Sequence, residues 1–494
     1  MIDKANPTDT ARFRRRARAH IAGRLVASLS VTAIVLAACG SGSGAGVPTS
    51  TGTATTATAV SGSASAGTAA PGAPNASGAP GAPGNPPGSG ASTAQYTPAG
   101  AYTLSVGSET KSDVTYTATE ADQSGVLVTG SGSVTLTNAK IETSGASKSS
   151  DESSFYGLDA GVLAQSGGAL VLSGGSVTTT GSGANGVFAY GSGASVTVSN
   201  ATIKATGQYA HGAMASGGGT VTVTDTTIST AGANSAAIAT DRGGGTISVS
   251  GGSVTTSGQD SPAIYSTGAI TITGGSYAAT GSESAVIEGA NSITLNDATL
   301  TSSKADKWGV LIYQSMSGDA SGTKGTFTMT GGTLSNTAAT GPLFYVTNST
   351  AVITLKGVSV AAASGVLVKA ATGNWGTSGS NGGTVVFTAD GETLTGDLLS
   401  DSSSSIAATL RNGTALTGKI NSAALTLDAT SIWNVTGDSQ LTSLSDASGI
   451  SGTTISNIHG NGHTVTYDAT LSANSALGGK TYSLSGGGQL VPKS

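Results

Sequence analysis

The chain has 494 residues, 76 of them glycine, with 4% aromatic and 10% charged residues and a formal net charge of −5. So few large side chains exclude a conventional globular core and favour a repetitive all-β stack closed with Val, Ile and Leu alone. Seven of the 21 Lys and Arg, but only two of the 26 acids, lie in residues 1–24. The acidic remainder argues against nucleic acid as a partner and against a strongly anionic polymer unless cations help.

Residues 12–24, "RFRRRARAHIAGR", are a basic leader. The apolar run "LVASLSVTAIVL" follows at 25–36; it is too short to span a bilayer comfortably and suits a signal segment. The next residues, "LAAC" at 36–39, resemble the bacterial lipobox. That resemblance implies removal of residues 1–38, acylation of Cys39 and a membrane partner held through an N-terminal lipid. A plain secretory signal with a chance cysteine is the alternative. Gly40 and Ser41 after the cysteine resemble outer-membrane sorting, so the expected location is the cell envelope, surface-exposed or periplasmic. Cys39 is the only cysteine, which rules out a disulfide within the chain.

Residues 39–95 are a Gly/Ser/Thr/Ala/Pro-rich tether without period or large apolar residues. Such a composition cannot offset its ordering entropy and is expected to stay disordered.

From there the chain repeats. Strand-like pieces begin "VFAY" at 187, "AMAS" at 213, "AIAT" at 237, "AIYS" at 263, "VIEG" at 286, "VLIY" at 310, "LFYV" at 343 and "VLVK" at 366. Steps of 23–26 residues, and one of 33 where "QSMSGDASGTKG" (314–325) is inserted, mark a solenoid. Each period holds three short strands. In the first, the second position (Phe188, Met214, Ile238, Ile264, Ile287, Leu311, Phe344, Leu367) is expected to face inward. In the second, Val196 and Val198 flank Thr197, and Val221/Val223, Ile270/Ile272 and Ile293/Leu295 repeat the pattern. The third adds Ile203, Ile228, Val254 and Leu300. Period-two alternation of this kind describes strands with one buried face.

After the second strand stands Asn138, Gly174, Asn200, Asp225, Gly251, Gly274, Asp297, Gly331 or Gly357. Only residues that tolerate left-handed backbone occur there, which predicts the same bend in every turn. Stacked strands with identical corners make a right-handed three-strand parallel β-helix, expected over 96–440 with roughly a dozen coils and followed by a C-terminal cap region at 441–494.

The stretch 425–449 is similar to the end of pertactin-like autotransporter passengers, whose motif S-x-W-x-V-T-G-x-S-x-L reads here as Ser431, Trp433, Val435, Thr436, Gly437, Ser439 and Leu441. A weaker likeness in the repeats covers about 100–440. The resemblance implies a β-helical passenger with Trp433 as the plug of its cap; an ordinary core tryptophan is the alternative. In that family a membrane barrel follows, and here the acyl anchor is expected to take over its holding role.

No catalytic constellation is legible, and no cofactor is expected. Pectate-lyase-like enzymes share the expected fold, so a polysaccharide lyase or hydrolase is the alternative, with Ca2+ entering only under it. The nearest chemistry lies in the turn before the first strand, where Asn234, Asp260, Glu283 and Lys307 stand one per coil. Tyr265, Glu288 and Tyr345 point outward on the adjoining strands, and Asp241–Arg242 sits at the strand's other end. Asp260, Glu283 and Glu288 could share a hard cation and Tyr265 and Tyr345 could stack on sugars, or all could decorate a solvated turn. His459 and His463 are read as a solvated loop, not a metal pair. A ladder of outward hydroxyls (Thr135, Thr197, Thr222, Ser248, Thr271, Thr294, Thr328, Thr354) suits a strand and, in some proteins of this shape, ice. The expected role is an adhesin-like or structural envelope lipoprotein. It would bind an extracellular glycan or matrix ligand along its flank and through the inserts at 144–156 and 314–325.

Overall fold

The computed structural model describes residues 97–493. The leader, Cys39 and the whole tether lie outside that span. From the strand Ala99–Ser112 to the strand Gln489–Pro492 the chain winds as an all-β parallel β-helix, its strands gathered into one sheet of 32 and one of 10.

Three rows of strands stack coil on coil. In the first, Val187, Ala213, Ile238, Ile264, Ala285, Val310 and Phe344 lie in register. In the second, Val196, Val221, Ile247, Ile270, Ile293, Phe327 and Ile353 do so. The third aligns Ile203, Ile228, Val254, Tyr277, Leu300 and Leu334. All line one continuous core. No coil could bury these residues alone, because each supplies only one layer of side chains and its neighbours complete the enclosure.

The corner column behaves as its residue types demand. All nine positions from Asn138 to Gly357 have φ between 44° and 68°. The column extends further, to Asp113 at one end and to Gly391 and Asn412 at the other. The choice within it also has a steric reason. A Cβ on Gly251 would lie 2.1 Å from Asp225 Oδ1, and one on Gly331 would lie 2.1 Å from Asp297 Oδ1. An Asx side chain at one corner leans over the next, and glycine there makes room.

The first row corrects the inward column expected from the sequence. Ile238, Ile264, Ile287, Phe344 and Leu367 do face the coil interior. Phe188, Met214 and Leu311 face outward, into two satellite clusters. Met214 pairs in register with Ala239, not Ile238, so the sequence alignment slipped by one residue and exchanged the two faces. The physical reason is that both faces of this row are buried, so alternation no longer marks the inside.

The two ends close differently. In the first coil, Glu109 and Lys111 take the places in register with Val134 and Leu136. Glu109 accepts a hydrogen bond from Tyr102 Oη (2.8 Å) and pairs with Lys111 Nζ (2.8 Å), while the Tyr102 ring lies tilted against Tyr116 with centroids 5.0 Å apart. Polar and aromatic groups thus replace the apolar layer where no further coil covers it. At the far end, strands Tyr482–Ser485 and Gln489–Pro492 pair antiparallel with each other while each continues a parallel rung. Trp433 is fully buried and donates from Nε1 to Gly418 O (2.9 Å). It lies between Leu416 and Ile458 in register, so it is a core rung; the antiparallel pair beyond it makes the closure.

Candidate functional site

The outer face of the first row carries most of the chemistry. In register along it stand Phe188, Met214, Ala239, Tyr265, Val286, Leu311 and Tyr345. The inserts expected to project for binding fold down onto this face. The segment 144–156 ends in the helix Ser150–Tyr156, capped by Ser149, whose side chain accepts from Glu152 N, and by Gly157 at φ 79°. Its Phe155 carbonyl accepts from Ser216 Oγ (2.6 Å), and Tyr156 packs edge-on against Tyr190. The segment 314–325 is tied by Gln314 Nε2, which donates to Ala320 O (3.0 Å) and Gly322 O (2.7 Å).

Glu288 lies beneath the second insert. It is buried and accepts hydrogen bonds from Tyr265 Oη, Tyr313 Oη and Ser315 Oγ. The charge is therefore met by hydroxyls on three sides, which suits a buried carboxylate. Burial, and then the charge of Glu288, pushes the Tyr265 and Tyr313 phenols well above their usual range. Nearby, Asp241 is also buried, and that burial, with Asp319 adding, raises its carboxyl well above the usual range. Arg242 donates to Asp319 and so neutralises the second acid.

The turn column assembles differently from a cation site. Lys307 Nζ lies 2.7 Å from Asp260 Oδ1 and 3.7 Å from Glu283 Oε1. It takes the place between the two carboxylates that a shared cation would need. Among the described residues, no group of three or more acidic, His or Cys side chains is placed to hold a metal ion.

Beside this triad the aromatic side chains gather. Trp308 stacks on Tyr345 at 4.3 Å between ring centroids, and Trp375 lies 6.4 Å from Trp308 and 4.6 Å from Tyr313. Trp308 and Trp375 are half-buried. The structure therefore brings Tyr265 to Glu288 and Asp260 to Glu283, and sets Tyr345 in an aromatic patch. Sequence reasoning missed Tyr313, Asp319 and both tryptophans. The available signal was composition: two of only three tryptophans stand in turn-like segments, "KWG" and "GNWG".

The remaining candidates stay apart. His459 Nδ1 meets Asn434 Oδ1 at 2.9 Å, whereas His463 faces Asp438, so the two histidines make no pair. The hydroxyl ladder is in register from Thr197 to Thr354, with Val171 interrupting it before Thr135. No family model, no curated protein and no solved structure matches the chain.

Proposed function

We propose that the protein is an envelope-anchored, adhesin-like surface lipoprotein. In this reading Cys39 carries the lipid, the tether sets the β-helix away from the membrane, and the helix binds an extracellular glycan or matrix polymer along its flank. The observation that carries the binding half is the pair of partly exposed tryptophans, Trp308 and Trp375, packed over buried Tyr345 on the outer flank of a chain with only 4% aromatic residues. Flat aromatic faces beside polar groups suit sugar rings, whose C–H faces stack on them. The neighbouring charges support binding over catalysis, because Asp260 and Glu283 are engaged by Lys307 and Glu288 by three hydroxyls.

A glycan and matrix-protein array probed with residues 96–494 tests this. Binding that drops at least tenfold in a Trp308→Ala/Trp375→Ala variant with an unchanged melting curve is the expected result. Silence of the wild-type fragment across both arrays would remove the adhesin half.

A second reading, a polysaccharide lyase or hydrolase, draws on the three buried carboxyl groups of Asp241, Glu288 and Asp319 on the same flank. Turnover of pectin- or alginate-like polymers with calcium present, abolished by Asp260→Asn or Glu283→Gln, would favour it. Absence of turnover would discard it.

A further inference from the structure

Asp260, Glu283 and Lys307 stand in the turns ahead of three first-row strands that pair in order, four residues before Ile264, two before Ala285 and three before Val310, which lie in register. Lys307 therefore reaches across the middle coil to touch an acid two rungs away, a span of about 10 Å at ordinary strand spacing. All three side chains are nearly enclosed, with 16% of Lys307, 6% of Asp260 and 1% of Glu283 exposed. The two oxygens that face the ammonium, Asp260 Oδ1 and Glu283 Oε1, have no hydrogen-bond partner besides it. The opposite oxygens are pinned: Gln259 Nε2 donates to Asp260 Oδ2 (3.0 Å) and Ser282 Oγ to Glu283 Oε2 (2.5 Å).

We propose that Lys307 and Asp260 become joined side chain to side chain by an amide bond, with Glu283 passing the protons. In water an ammonium and a carboxylate do not condense, because the amine is protonated and the carboxylate is a poor electrophile. Here a fixed, nearly enclosed contact replaces the bimolecular encounter with a unimolecular one. Burial, more than any other influence, raises the Glu283 carboxyl, which favours a protonated acid beside the reacting pair.

The step balances without an oxidant or co-reactant. A proton leaves the Lys307 ammonium for the Asp260 carboxylate. The amine nitrogen attacks Cγ of Asp260 and a C–N bond forms. Glu283 delivers its proton to the departing hydroxyl and takes one from nitrogen as the C–O bond breaks. One ammonium and one carboxylate give one amide and one water. The product staples alternate coils. It is independent of any ligand the flank binds.

Tryptic mass mapping of the purified full-length protein tests the proposal. The expected result is a branched peptide of 243–304 and 305–324, uncleaved after Lys307, whose fragmentation shows two N-termini, at Gly243 and Ala305. Glu283→Gln should return linear peptides, and Lys307→Arg, which keeps the positive charge but resists condensation, should do the same while folding. Recovery of linear peptides from the wild-type protein, with cleavage after Lys307, would overturn it.

Discussion

Arg242 donates to Asp319 Oδ1 through both Nε (3.1 Å) and Nη2 (2.7 Å) while its guanidinium carbon lies 3.8 Å from the Phe155 ring centroid. One side chain in the turn after the first-row strand Ile238–Thr240 thus clasps both inserts, the helix Ser150–Tyr156 through Phe155 and the segment 314–325 through Asp319. Arg242→Ala should cost about 2–3 kcal/mol, less than a fully enclosed pair because the guanidinium is partly exposed. Hydrogen exchange should rise in 150–156 and 314–322 together, and Arg242→Lys should rescue little, since an ammonium cannot make the fork. Exchange confined to one insert would contradict the shared clasp.

Asp159 provides the pH dependence. It is buried, with Oδ1 accepting from Gln123 N (3.1 Å) and Oδ2 without a partner. Burial, with the neighbouring Asp122 charge adding, pushes its carboxyl up to about 6. A raised carboxyl means that the folded state binds the proton more tightly, so its contribution is full below the ordinary value of about 3.8 and fades as pH rises through about 6. Asp159→Asn should therefore stabilise the protein by about 1–2 kcal/mol at neutral pH and make little difference near pH 4. Urea melts at the two pH values decide this.

Two glycines separate two reasons for glycine. A Cβ on Gly232 would fall 1.7 Å from Gly207 O, so Gly232→Ala forces neighbouring coils apart and should cost about 3 kcal/mol or more. A Cβ on Gly357 meets nothing within 4 Å, and only its φ of 63° resists a side chain. Gly357→Ala should cost about 1 kcal/mol. Equal losses in thermal melts would refute the distinction.

The first coil's polar layer makes a further prediction. Replacing Glu109 and Lys111 with Val gives the exposed end the side chains of an interior rung. Light scattering should then report concentration-dependent association through that end, with the wild-type chain unchanged.

The corner column was legible in the sequence because a left-handed backbone admits few residue types, and every position named there adopts it. The second and third rows were legible because only one of their faces is buried. The first row was not: Phe188 and Ile238 look alike in sequence although one points out and the other in, since the covering inserts make both surroundings apolar. Asp260, Glu283, Glu288, Tyr265 and Tyr345 were found as outward or turn residues on one flank. Ser315, which donates to Glu288, was not found, nor were Asp319 and Trp375 nearby, because all three arrive from segments without repeat register. The column also aligned Lys307 with the two acids without revealing that its long side chain would cross a whole coil to reach the further one.

Every rung-to-rung hydrogen bond lies along the direction in which the coils stack. Tension applied between the two ends therefore falls on one rung at a time, and the molecule should yield stepwise, each event releasing the chain of a single turn. A ladder built this way reports load by its length. The segment between Asp260 and Lys307 is where a pulled molecule would refuse to lengthen.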